Sequence, residues 1–367
     1  MKRRNTFFLF IAGLAVILFF FAIRKYITTR NCQPWIKAEG NILTKGGRPF
    51  RFIGANAVYL VFYDDWDLDI EKAIRTAKDN NVSVLRLYVD LGWGKDSDFD
   101  RIFDIASRYG IYIILTFTDC CCISDYSNLE KYYQVHAPFC NITNNGSIRA
   151  FKKLIKEIIE RRNSINGRIY RDDPTIMAWE IANELEYRNF DKSDVYDWID
   201  EIATYIKSLD NNHLITIGID ANGSGFANDN LHDIFNVPAL DFLSFHSYPA
   251  TETMDLKNLV SMKENIDKVA FTTKKFLSLG RPVVMGEFGF SNSTEINNKI
   301  KSGEPEYYNL IFKEFMDTAF VAGVSGVMFW GWGVPEEKTV PMWWSKESHS
   351  IENEGFCHFL IKYKIPN

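Results

Sequence analysis

Eight short apolar runs, each four to eight residues long, recur along this chain of 367 residues, separated by longer stretches whose apolar residues return at helical spacing. The runs fall at residues 52–55, 82–89, 111–117, 176–182, 214–219, 240–245, 282–286 and 324–330. Amphipathic stretches lie among them at 69–80, 151–162, 195–209, 263–279 and 307–322. A short apolar run bounded by polar residues is the pattern of a strand buried on both faces, and parallel neighbours need a long crossover that a helix supplies. Alternation of this kind predicts an α/β fold with a parallel sheet, and eight units predict closure into a (β/α)8 TIM barrel. Residues 35–52 read as an N-terminal hairpin turning at Lys45-Gly46-Gly47-Arg48. No repeat and no low-complexity linker interrupts the rhythm, so residues 31–367 are expected to form one domain.

Ahead of it, residues 7–23 are seventeen uncharged, almost wholly apolar positions, with Lys2, Arg3 and Arg4 before them and Arg24, Lys25 and Arg30 after. At ~1.5 Å per residue such a helix just spans a thin hydrocarbon layer. A cleaved signal peptide is the competing reading, but its apolar region is usually shorter and no small-x-small cleavage site closes the region before Arg24. Residues 1–30 are therefore expected to be a single transmembrane helix anchoring the domain outside the cytoplasm, the chain being secreted instead if the segment is cleaved. Three basic residues on each side orient the helix only weakly.

Without residues 1–30 the chain carries 36 Lys and Arg against 47 Asp and Glu, a net charge of −11. Such a domain repels phosphate backbones, which argues against nucleic acid as a partner but leaves a neutral polysaccharide open. The nine Trp and seventeen Tyr are more than a core built on Leu, Ile and Val needs, so some rings are expected to line a cleft. Cysteines stand at 32, 120, 121, 122, 140 and 357. Three in a row is not the spaced-pair pattern of zinc ligands, and neither metal nor cofactor is expected. An even count beyond a membrane segment fits one or more disulfides, such as one tying the 120–122 loop to Cys140, with the connectivity open. The chain is expected to work as a monomer.

Barrel sites lie at the C-terminal ends of the strands, and there the polar residues of interest fall. Glu184 closes the run that begins at Thr175, and Glu287 closes the run that begins at Pro282. Carboxylates from two separate strands can flank one glycosidic bond, one protonating the leaving oxygen while the other attacks the sugar carbon. A carboxylate at a strand end can also merely cap a helix or pair with an Arg. Arg86, inside the apolar second run, needs a carboxylate partner, and a structural pair with Glu180 is the bland alternative. His246 and Tyr248 follow the sixth run and can both reach the mouth; Trp330 ends the eighth, where a flat ring could form a floor for a sugar or simply fill the core.

Gly54-Ala-Asn56, Arg86, Trp179-Glu180-Ile-Ala-Asn183-Glu184, His246-Ser-Tyr248-Pro249, Gly286-Glu287-Phe-Gly289 and Trp330 together resemble family 5 of the glycoside hydrolases, and within it the endo-β-1,4-mannanases. The resemblance covers roughly residues 35–332. It implies a retaining hydrolase of β-1,4-linked polysaccharide, with Glu184 as general acid and base, Glu287 as nucleophile, and Asn183 bonded to the 2-hydroxyl of the reacting sugar. It further implies that Arg86 and Tyr248 keep Glu287 ionised and aimed, that His246 contacts the sugar or the acid, that Trp330 stacks beneath the sugar, and that Asn56 supports the set. Glu180 would lie deeper, as a structural carboxylate. Thr118-Asp119-Cys120-Cys121-Cys122 stands where a mannanase has an Asn and Trp segment, so an endo-β-1,4-glucanase stays open; a transglycosylase does too, because a sugar hydroxyl can replace water against the same intermediate. A membrane-tethered carbohydrate-binding protein on a retired scaffold is the alternative from another class; it fits poorly with two surviving carboxylates and their supporting residues.

Overall fold

The computed structural model describes residues 33–62, 69–89, 96–120, 139–185, 190–221, 235–248, 259–289, 305–334, 349–350 and 354–366. The chain divides into two compact units, Met1–Pro34 and Trp35–Asn367, and the second is described below. The expected anchor at residues 1–30 lies outside the described residues. Among those described, no helix is long and apolar enough to cross a membrane.

Three short antiparallel strands open the unit: β1 (Ile36–Glu39), β2 (Ile42–Lys45) and β3 (Arg48–Pro49). This is a meander, not the single hairpin expected. Its first turn uses Gly40 at φ 57°, and its second uses Gly46 and Gly47 at φ 57° and 73°, where the sequence places a turn. A left-handed backbone is nearly free for glycine and costly for other residues.

The parallel strands follow as β4 (Phe52–Asn56), β5 (Val82–Tyr88), β6 (Tyr112–Thr116), β7 (Ile176–Glu180), β8 (Leu214–Thr216), β9 (Gly218–Asp220), β10 (Leu243–Ser247), β11 (Val283–Phe288) and β12 (Gly326–Phe329). β8 and β9 are two halves of one barrel strand. The first half pairs with β7 and the second with β10, and β12 pairs with β4, which brings the sheet round into a barrel. All eight apolar runs thus become barrel strands, the fifth broken at Ile217.

Helices Ile70–Asp79, Asn145–Ile159, Lys192–Leu209, Leu259–Leu277 and Pro305–Ala322 occupy the amphipathic stretches, the second starting six residues before its expected bound and the others within four, and Asp96–Tyr109 and Glu354–Lys362 add to them. Two begin on caps of known chemistry: the Asp69 carboxylate accepts from Lys72 N at 2.9 Å, and the Asn144 amide oxygen accepts from Gly146 N and Ser147 N at 2.8 and 3.0 Å. Such caps contribute about 1 kcal/mol each. The large core lies between barrel and helices. A second, smaller cluster joins Ile36 and Leu43 of the meander to Phe52, Tyr112, Leu214 and Phe242 at the strand starts, so the meander closes the N-terminal end of the barrel and leaves the other end for chemistry.

A buried polar group holds the same end. The Asp210 carboxylate accepts from Trp179 Nε1 at 2.7 Å and from Asn212 N at 2.7 Å, and lies 2.5 Å from His213 Nδ1, whose other ring nitrogen is 2.9 Å from the Asp173 carbonyl. Burial opposes ionisation of Asp210, yet His213, Trp179 and Asn212 outweigh it and hold the pKa below its ordinary value. A lowered folded value means stability that is present above the unfolded value of ~3.9 and lost as pH falls through the folded one. Asp210→Asn is expected to cost about 1–3 kcal/mol near neutral pH and to shrink the acid limb of the stability curve. Urea unfolding between pH 3 and 7 measures both, and an acid limb identical to that of the wild type would refute this account.

Candidate active site

Strand register brings the polar residues into neighbouring rows at the C-terminal end of the barrel. Asn56 lies beside Arg86, Thr116 beside Glu180, and His246 between Asp220 and Glu287. Strand β10 begins later than the sequence implies and contains His246, so of the expected pair only Tyr248 follows the strand. Glu287 likewise lies within β11. Pairing of β10 with β11 slips by one residue between Phe245 and His246, leaving Gly286 as a bulge that re-aims Glu287. A side chain at 286 would force its neighbours to shift, because a Cβ there would stand 2.1 Å from Ser244 Oγ and 3.3 Å from His246 Nε2.

One fully buried guanidinium organises the site. Arg86 donates from Nε to Glu180 at 2.9 Å, from Nη1 to Glu287 Oε1 at 2.5 Å and Asn56 Oδ1 at 2.8 Å, and from Nη2 to Glu180 and to Asn183 Oδ1 at 2.7 Å. The structural pair with Glu180 and the site pair with Glu287 therefore both exist, on one cation. Burial works against the charge of Arg86, but Glu180, Tyr88 and Glu287 outweigh it and push its pKa up. Asn56 is fully buried and spends its amide nitrogen on the carbonyls of Gly286 and Phe329, at 3.0 and 3.3 Å, so it braces β4 against β11 and β12. Thr116 donates to Glu180 at 3.0 Å.

Glu287 receives Tyr248 OH on its other oxygen at 2.7 Å and Tyr88 OH on Oε1 at 3.1 Å. Tyr88 is not among the residues read from the sequence, though the two-residue alternation that turns Arg86 inward turns Tyr88 inward as well. Burial raises the Tyr88 pKa strongly, with Arg86 opposing and Glu287 and Asp119 adding to it, so the phenol stays a donor. Asn183 donates to Asp119 Oδ1 at 2.9 Å. Trp330 follows β12 with only 8 % of its surface exposed, and its main-chain N–H reaches Phe288 O at 2.9 Å.

Glu184 lies beyond the end of β7, where its N–H donates to Gly218 O at 3.0 Å and its backbone takes φ 43°. A left-handed conformation outside glycine costs on the order of 1–3 kcal/mol and persists where surrounding structure enforces it. His246 Nδ1 lies 2.6 Å from Glu184 Oε1 and 3.5 Å from Glu287 Oε1. Burial disfavours a charged imidazole, but Glu287 and Glu184 outweigh it and raise the pKa of His246. One carboxylate oxygen each of Glu184 and Glu287 and one ring nitrogen of His246 lie within 4.8 Å of one another. Three such ligand atoms at that spacing could hold a metal ion, but here Arg86, Tyr88 and Tyr248 already donate to Glu287, and a cation would face Arg86.

A family model described as glycoside hydrolase family 5 β-mannosidase-like matches residues 104–353, more than half of the chain. The chain belongs to that family. Among its relatives, mannan endo-1,4-β-mannosidase 1 of Solanum lycopersicum is 27% identical, with 86% of this chain and 84% of that protein aligned. Mannan endo-1,4-β-mannosidase 1 of Oryza sativa subsp. japonica is 26% identical over 82% of this chain and 79% of its own. Among solved structures, the endo-β-1,4-mannanase of Thermotoga petrophila superposes with a TM-score of 0.69 at 23% identity, covering 86% of this chain and 77% of that one. That structure shares the barrel fold with this family 5 chain.

Proposed function

We propose that this family 5 chain is a retaining β-glycosidase that cleaves inside β-1,4-linked mannan, with Glu287 as nucleophile and Glu184 as general acid and base. The carrying observation is the spacing of the two carboxylates, which bring oxygens within 4.8 Å of each other. Retaining enzymes hold their carboxyl groups ~5–5.5 Å apart, whereas inverting ones leave ~6.5–9.5 Å for a water molecule. In the first step a Glu287 oxygen bonds to the anomeric carbon as the glycosidic bond breaks, and the Glu184 proton passes to the departing oxygen. In the second, Glu184 takes a proton from water, the water oxygen bonds to the same carbon, and Glu287 is released.

The surroundings divide the roles. Arg86, Tyr88 and Tyr248 all donate to Glu287, which suits a carboxylate that must remain an anion until it attacks. Glu184 lies 2.6 Å from His246 Nδ1, against 3.5 Å for Glu287, and its side chain is 13% exposed against 5% for Glu287, so of the two it is the more open to a leaving group and to water. Asn183 is assigned to the 2-hydroxyl of the reacting sugar and Trp330 to the face beneath it. Mannan as the substrate rests on the relatives named as mannan endo-1,4-β-mannosidases. Initial rates on mannan, glucomannan, cellulose and mixed-linkage glucan test it: mannan and glucomannan are expected to be cleaved at least tenfold faster than the glucans, and preference for cellulose would replace mannanase by glucanase. The seventeen apolar residues 7–23 between basic flanks support a membrane anchor, and the Cys120–Cys140 disulfide supports an oxidising space outside the cytoplasm for the barrel.

A further inference from the structure

We propose that Asp119 is a positioning residue that fixes the amide of Asn183 in a single orientation, so that Asn183 meets the sugar as a donor only. The inference rests on the glycosidase reading above and extends it to a residue at which the sequence departs from the mannanase pattern. An asparagine amide has nearly the same shape after its oxygen and nitrogen exchange places, so its neighbours decide which way it points. Asn183 Oδ1 accepts from Arg86 Nη2 at 2.7 Å, and Asn183 Nδ2 donates to Asp119 Oδ1 at 2.9 Å. A flipped amide would set its NH2 against a guanidinium and its oxygen against a carboxylate, two repulsive contacts in place of two charge-assisted bonds. With the oxygen given to Arg86 and one N–H to Asp119, the amide keeps its second N–H for a ligand.

The ligand atom follows from the surroundings. Asn183 is the chain neighbour of Glu184 and is bonded to the guanidinium that holds Glu287, so it is tied to both carboxylates that address the anomeric carbon. The sugar substituent one bond from that carbon is the hydroxyl at C2. Asp119 is itself held firmly. It bridges Asn183 in a parallel pair, with Asn183 N donating to Thr118 O at 2.9 Å and Cys120 N donating to Asn183 O at 2.8 Å. The next residue, Cys120, is disulfide-bonded to Cys140, and Cys140 Sγ lies 3.4 Å from the Asp119 carbonyl. Both residues are almost completely buried, at 4% exposure each, so the bond between them is screened little by solvent.

The test pairs two variants of the full oxidised chain with two substrates. Asp119→Asn is isosteric but lets both amides flip, and Asp119→Ala removes the acceptor. The substrates are an aryl β-manno-oligosaccharide and the same compound without the 2-hydroxyl on its reacting sugar. Both variants are expected to lose about 10- to 100-fold in kcat on the first substrate with little change in KM, and less than threefold on the second. Equal losses on both substrates, or none on either, would overturn the role of Asp119. So would loss of the native near-ultraviolet circular dichroism in both variants, which would make Asp119 a folding residue. A wild-type chain that turns over neither substrate nor mannan would instead defeat the glycosidase reading, and this inference with it, whatever the variants do.

Discussion

Glu287→Gln is expected to abolish hydrolysis, with a fall in kcat on the order of 10⁴-fold or more, while the chain stays folded. The amide keeps the shape of the carboxylate and can still accept from Arg86 and Tyr88 on one atom, so packing around β11 is preserved. It cannot form the acylal bond to the anomeric carbon, because its oxygen carries no full charge. The substitution has a second consequence. Arg86 balances two carboxylates, Glu180 and Glu287, and the residual negative charge contributes to the raised pKa of His246, to which Glu287 is the largest upward contributor. Removing that charge should therefore move the His246 titration down, which imidazole proton resonances followed against pH would register. Loss of activity together with this downward shift identifies Glu287 as the charged centre of the site. Retention of more than about a tenth of wild-type activity would remove it from the mechanism, since no other group could replace a nucleophile at that level.

Much of this cluster is legible in the sequence because its chemistry is out of place there. Arg86 interrupts an apolar run, and a guanidinium in a barrel must find carboxylates; Glu180 and Glu287 both serve. Tyr88 is hidden because a tyrosine in a strand looks like core, and only its register with Arg86 separates the two cases. Asp119 is hidden for another reason: it lies past the end of β6 and meets Asn183 through an isolated bridge, which leaves no periodic trace. The start of β10 is misread because Leu240 and Phe242 are buried without belonging to the strand, so apolarity runs ahead of pairing. The break at Ile217 is silent as well. Residues 214–219 are apolar nearly throughout, and the interruption comes from a change of partner, from β7 to β10, that hydrophobicity does not encode. The backbone of Glu184 belongs to the same class, since its φ of 43° accompanies a bond to Gly218 O on a strand distant in sequence.

Under the proposed mechanism, Glu184→Ala is expected to separate two steps that the wild type runs together. With an aryl β-glycoside whose leaving group departs as a stable anion, bond cleavage needs no proton, so the Glu287 ester should still form. Its hydrolysis then stalls, because the water that must attack has lost its base. Azide is a nucleophile without a proton to give up, and truncation at 184 opens space on the more solvent-exposed side of the pair, where the wild-type carboxylate is 13% exposed. Added azide is therefore expected to raise turnover by about 10²- to 10⁴-fold over the variant alone, with a β-glycosyl azide as product, since two inversions at the anomeric carbon restore the starting configuration. The same azide added to Glu287→Gln should rescue nothing through this route, because there is no ester to intercept. Proton NMR of the product decides the stereochemistry directly. An α-azide from Glu184→Ala would mean a single displacement, and the short spacing between positions 184 and 287 would then have to be explained without a covalent intermediate.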